Sequence, residues 1–338
     1  MKSGRFTIFV LILSLFLIPA CQGQKIHLTP GPKVTPRGDA QNVQLIGQYG
    51  SFVTTVTFRD DYAYIGGLVR LLVWDVSDLS QPVFVNRLDI IMRDDIESVT
   101  IMDNTAYLAF GRAGLVIVDV SNNRLVKVGL YDTPGNAMGV AVKGSYAYVA
   151  DDKGRLRILD ISDSAHPAEV GFYNTPGNAQ DVVVTAGYVY VVGKAISLRV
   201  LDISDPVYPV EVGFLDTPGG AESVAVAGNY VYIASGEGGL RIVDISNPTR
   251  PVEVGFFDTP GNAQDVAIEG NYAYIADGHS LLVVDISNPT KPSQAGFYEG
   301  TVMTVAVMGN IAYTTGMHAG LSILQFVPPD TTSTPGGS

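Results

Sequence analysis

A seven-residue string returns along this chain at a nearly fixed interval, and that periodicity restricts the fold more than anything else in the sequence. Residues 71–77 (LLVWDVS), 115–121 (LVIVDVS), 156–162 (LRILDIS), 198–204 (LRVLDIS), 240–246 (LRIVDIS) and 281–287 (LLVVDIS) are copies, and 321–327 (LSILQFV) is a degraded seventh. Their aspartates are Asp75, Asp119, Asp160, Asp202, Asp244 and Asp285, with Gln325 in the last place, so the period runs 44, 41, 42, 42, 41 and 40 residues. A constant period of this size marks one supersecondary unit that cannot bury its apolar face alone and must stack on its neighbours.

Each period holds four short runs of alternating or continuous apolar residues. In the fifth copy these are 221–228, 229–235, 239–246 and 251–258. Between them stand Gly228-Asn229, Gly236-Glu237-Gly238-Gly239, Ser246-Asn247-Pro248 and, at the end, Asp258-Thr259-Pro260-Gly261. Turn residues every 8–12 positions between β-branched and aromatic runs predict an all-β fold. The 37 glycines and 19 prolines agree with many turns and few long helices. A lone four-stranded sheet leaves an apolar face and two edges open, and radial stacking closes both. The expected architecture is therefore a β-propeller of four-stranded blades.

Counting strands sharpens this. The seventh copy has three strands and then meets Pro328-Pro329 where its fourth should be, while Val43–Tyr49 precedes the first copy and matches the fourth-strand pattern of Val210–Phe214. The N-terminal strand should complete the last blade, giving seven blades over residues 43–327. An open superhelical array would need polar capping repeats, and the sequence has none.

The string Leu115-Val116-Ile117-Val118-Asp119 is the namesake of the LVIVD repeat, and residues 43–327 resemble that family of bacterial and archaeal secreted or surface proteins. The resemblance implies a propeller at the cell surface and carries no catalytic residues with it. The amino terminus fits that address. Lys2 and Arg5 precede an apolar run from Phe6 to Ile18 that is short for a ~30 Å hydrocarbon core. Such a segment is a secretory signal. Ile18-Pro19-Ala20-Cys21 resembles a lipobox, which implies cleavage after residue 20 and acylation of Cys21, the only cysteine; the alternative is an ordinary cleaved signal. Residues 21–42 read as a proline-punctuated tether and 328–338 as a disordered tail. A membrane contact through the lipid alone is expected, with the chain exported to the cell surface or periplasm as a monomer.

Net charge is −12, so a phosphate backbone is repelled and nucleic acid is not an expected partner. One cysteine excludes an intrachain disulfide framework. No nucleophile elbow, metalloprotease helix or phosphate loop is present. The repeating aspartates read as turn builders, their carboxylates accepting nearby backbone N–H groups. The paired tyrosines of the second strands read as blade-to-blade packing, with sugar stacking as the alternative. One face of a propeller carries the links between blades and the second-to-third-strand loops. Here that face should gather Asp132, Asp151, Asp216, Asp258 and Asp277, and Glu97, Asp181, Glu222 and Asp265 should ring the channel mouth. The irregular stretch Arg93-Asp94-Asp95-Ile96-Glu97 is the first candidate for a binding rim. No cofactor is indicated; calcium is the one ion the mouth carboxylates could suit. Glu237, His279 and His318 share a loop offset but fall on separate blades, too far apart for zinc, while His27 lies in the tether and His166 on an opposite-face turn. The leading reading is a non-catalytic binding or scaffold module for a protein or polysaccharide. The alternative is a propeller hydrolase or lyase acting on extracellular carbohydrate or lactone substrates with a metal at the mouth.

Overall fold

The computed structural model describes residues 40–49, 53–79, 81–92, 94–316 and 320–329. The export signal, Cys21, His27, most of the tether, Arg93, His318 and the tail from residue 330 lie outside the described residues.

The chain forms seven antiparallel blades around a closed ring. The fifth blade is representative, with strands Ser223–Ala227, Tyr230–Ala234, Leu240–Asp244 and Val252–Phe257 numbered first to fourth from the channel outward. First strands of successive blades touch, and Thr304–Met308 of blade seven meets Thr55–Arg59 of blade one. Third strands such as Leu115–Asp119 run apolar without alternation because neighbouring blades cover both of their faces. Leu115, Val116, Ile117 and Val118 are all 0% exposed. The second-strand tyrosines Tyr64, Tyr148, Tyr190, Tyr274 and Tyr313 are also fully buried.

Blade seven is built from both ends of the described chain. Val43–Tyr49 pairs with Gly320–Phe326, from Val43 opposite Phe326 to Tyr49 opposite Leu321, and supplies the fourth strand. The ring is thus closed by hydrogen bonds rather than by a covalent link, with residues nearly 300 positions apart in one sheet.

Two residues that the sequence reading places in the tether belong to the ring. Ala40–Gln41 pairs with Tyr298 and Phe297 as a fifth strand on blade six. The chain then turns at Asn42, in the left-handed region at φ 57°, and enters blade seven. Asn42 Nδ2 donates to the Ala295 carbonyl at 2.7 Å, and Val327 N–H donates to the Asn42 carbonyl at 2.8 Å. The reason lies in the fourth-strand glycine. In blades two to five this residue sits against the backbone of the next blade's outer turn; a methyl group at Gly255 would stand 2.0 Å from the Pro289 carbonyl oxygen. At Gly296 the place is taken by Gln41, whose carbonyl oxygen is 2.8 Å from where a Cβ would lie.

Links and second-to-third loops share one face, where the bridges Gly111↔Ala137 and Gly236↔Ala263 join a loop to the link that follows it. The third-to-fourth turns form the opposite face.

Candidate functional site

On the turn face the six repeating aspartates have one geometry. The Oδ1 atoms of Asp75, Asp119, Asp160, Asp202, Asp244 and Asp285 accept the N–H of the serine two residues on, at 2.7–3.0 Å. The Ser121 and Ser162 N–H groups hold the Asp119 and Asp160 carboxyls below the usual carboxylate range. These side chains terminate the third strand and set the turn.

The channel end of the first strands carries the mouth residues, and the four carboxylates read as one ring divide into two sets. Asp181 and Asp265 occupy one position of blades four and six. Asp181 Oδ1 accepts Val182 N–H at 2.8 Å, and its Oδ2 accepts Val224 N–H of blade five at 3.0 Å. Asp265 Oδ1 accepts Val266 N–H at 2.8 Å, and its Oδ2 accepts Val305 N–H of blade seven at 2.8 Å. Between them stands Ser223, whose Oγ lies 3.1 Å from Asp181 Oδ2 and 2.7 Å from Asp265 Oδ1. A hydroxyl has one proton, so it serves one carboxylate at a time. Burial pushes the Asp181 carboxyl up to about 6, with the charge of Asp265 adding to it against the two backbone donors. Burial raises Asp265 too. Glu97 and Glu222 sit one residue earlier, where the backbone N–H completes the hairpin to Ala109 and Ala234 at 2.9 and 2.8 Å. Adjacent strand residues point to opposite faces, which is why the four do not converge. Glu222 pairs with Lys194 Nζ at 3.0 Å. Glu97 is raised by burial and then by Asp95 and Asp94. Asp94 Oδ2 accepts Arg112 N–H at 2.7 Å. Among the described residues, no three histidine, cysteine or carboxylate side chains are placed to hold a metal ion.

Two of the acidic residues assigned to the open face are instead interior. Asp151 and Asp277 are 0% exposed and hold the preceding link by accepting Gly135 N–H at 3.2 Å and Gly261 N–H at 3.0 Å. Asp151 Oδ2 also meets Arg157 Nε at 2.5 Å, and Arg157 Nη1 meets Glu169 Oε2 at 2.7 Å. Tyr131 of blade two donates to that Glu169 oxygen at 3.1 Å. Blades four and five place Arg199 and Arg241 at the corresponding third-strand position, with Glu211 and Glu253 on the fourth strand. Sequence reasoning passed over this arginine set, although its signal was visible as the LRILD, LRVLD and LRIVD spellings. Blade six has Leu282 there, and a cavity of ≈ 620 Å³ opens beside it between Pro260 and Thr301.

Six segments, 52–90, 95–133, 134–175, 176–217, 218–259 and 260–299, match the family described as LVIVD repeat. The chain belongs to the LVIVD repeat family. The six matched LVIVD segments cover blades one to six, and the seventh blade is the degraded copy completed by the N-terminal strand. A search of curated proteins found no relative. Among solved structures, the LVIVD propeller is similar to the β-propeller domain of Cps50 (Swd1) from Myceliophteria thermophila, with TM-score 0.69, 13% identity, 84% of this chain and 100% of that one covered. It is also similar to a chain of the mitotic checkpoint complex, with TM-score 0.67, 10% identity and 94% and 99% coverage. The computationally designed Ika8 protein matches with TM-score 0.60, 12% identity and 83% and 98% coverage. Identities this low show a shared fold.

Proposed function

We propose that this LVIVD repeat protein is an exported, lipid-anchored binding module that engages a protein or polysaccharide through its link face and catalyses no reaction. One observation carries the reading. The two half-buried mouth aspartates, Asp181 and Asp265, are committed to backbone N–H groups that join neighbouring blades. Catalytic carboxylates need lone pairs free for substrate or proton transfer. The polar groups that reach solvent, the half-buried Glu222 and Asp94 at the channel end and the exposed His279 on a loop and Glu299 at a strand end, are spread around one face as a docking surface requires. Cys21, followed by a proline-rich tether, would hold that face away from a membrane.

The test is capture from an envelope extract by the purified full chain, compared with the Glu97→Gln, Glu222→Gln double variant, which leaves every backbone bond in place. A partner retained by the parent and lost by the variant supports the reading. Turnover of an extracellular carbohydrate or lactone by the purified chain overturns it. In cells, Cys21→Ala should move the protein from the membrane to the soluble fraction.

A further inference from the structure

Blades three, four and five place an arginine directly opposite a fourth-strand phenylalanine: Arg157 faces Phe172, Arg199 faces Phe214 and Arg241 faces Phe256. The guanidinium carbon lies 4.8 Å from the Phe214 ring centre in blade four and 4.9 Å from that of Phe256 in blade five. Carboxylates stand on either side. Arg199 has Glu211 and Asp216, both at 3.8 Å, and Arg241 has Glu253 at 3.4 Å and Asp258 at 3.9 Å. In blade three the guanidinium turns inward to Asp151 and Glu169. Blades four and five thus build a frame of one aromatic ring and two carboxylates and fill it with one arginine each, whereas in blade three Arg155 covers the Phe172 ring at 4.4 Å and Arg157 takes the carboxylates.

Blade six keeps the ring and one of the flanking carboxylates, has an amide in place of the other, and lacks the cation. Leu282 stands opposite Phe297 in the same register. Counting along the repeat, Gln294 replaces Glu253, Glu299 replaces Asp258, and Asp277 corresponds to Asp151. These residues line the ≈ 620 Å³ cavity, and no lysine or arginine is among its lining residues. Asp277 Oδ2 accepts the Gly261 N–H, as Asp151 Oδ2 accepts that of Gly135. At Asp151 the same oxygen also takes the arginine Nε, whereas beside Asp277 the chain supplies Leu282. A face that is acidic and aromatic without an internal cation is complementary to one from outside.

We propose that this cavity binds the guanidinium group of an arginine on a polypeptide partner, which completes blade six as Arg241 completes blade five. The volume lies within the roughly 300–1,000 Å³ of ordinary ligand sites and exceeds what one side chain fills, leaving room for flanking peptide. Its mouth, between the exposed His279 and Glu299, opens on the link face. The proposal rests on the binding-module reading and gives it a ligand chemistry.

The experiment titrates the purified full chain with N-acetyl-Gly-Arg-Gly-amide, the same peptide with citrulline for arginine, and free arginine, by calorimetry or chemical-shift mapping. The arginine peptide should bind, and loss of the charge in the citrulline peptide should weaken binding about tenfold or more. Leu282→Arg, which supplies the missing guanidinium from within, should abolish peptide binding and raise the melting temperature. Glu299→Gln changes an exposed side chain at the end of the fourth strand and should weaken the arginine peptide severalfold without altering the fold, which keeps the test sound should Leu282→Arg not fold. Citrulline binding equal to arginine, or no binding of the arginine peptide, overturns the proposal. Binding unchanged in both a folded Leu282→Arg and Glu299→Gln does the same. Free arginine binding as tightly as the peptide overturns the polypeptide source. Capture from extract without peptide binding would leave the binding module standing and remove this site, and peptide binding without capture would do the reverse.

Discussion

Arg157→Met is the substitution whose cost the structure specifies best, because the repeat provides its own controls. Arg157 is 3% exposed and holds a fully buried carboxylate, Asp151, at 2.5 Å together with Glu169 at 2.7 Å. Removing the cation leaves Asp151 buried and charged, which costs about 3–5 kcal/mol. Arg199 occupies the same register but meets Glu211 and Asp216 at 3.8 Å and stacks on an exposed Phe214, contacts worth about 1 kcal/mol together. With roughly 2 °C lost per kcal/mol in a domain of this size, Arg157→Met should lower the melting temperature by about 6–10 °C and Arg199→Met by about 2 °C. Differential scanning calorimetry of the two variants reads the difference directly. The double variant Asp151→Asn, Arg157→Met should recover most of the loss, because no fully buried charge is left uncompensated and Glu169, which also loses the cation, still reaches solvent. Equal losses in the two single variants, or a double variant no better than Arg157→Met, would refute the reasoning.

Two further outcomes follow from the channel and the seams. Asp181 binds its proton more tightly in the folded protein, at about 6 against 3.8, so its contribution to stability is fully present below about pH 4 and is lost as pH rises through 6. At about 1.4 kcal/mol per tenfold this reaches roughly 3 kcal/mol, and Asp181→Asn should flatten the profile of melting temperature between pH 4 and 7; an unchanged slope would count against the Asp181–Ser223–Asp265 bridge. Gly255→Ala should cost about 1–3 kcal/mol, since the added methyl meets the Pro289 carbonyl at 2.0 Å, and urea unfolding should show a lower midpoint with an unchanged m-value.

Much of the architecture was written locally. The period of the LVIVD string, the Tyr-x-Tyr second strands and the Asp-x-Ser turns are each set by residues close in sequence, and so is the strand count that predicts closure by Val43–Tyr49. The site was not. Asp181 and Glu222 look alike as acidic starts of first strands, yet one residue of offset sends one side chain to the neighbouring blade's backbone and the other to Lys194. Asp277 looks like a surface acid until the link above it is folded down.

The sequence alone determined how many blades there are and which residues turn each corner, because strand alternation and turn chemistry act over a few bonds. Tertiary structure alone decided which carboxylates are buried, which arginines neutralise them, and that blade six has a cavity where blade five has a cation. Those outcomes depend on side chains meeting either within a blade, as Asp151 and Arg157 do, or across a seam, as Asp181 and Ser223 do, and the distances there, not the residue types, decide whether a charge is paired, desolvated or open to a partner.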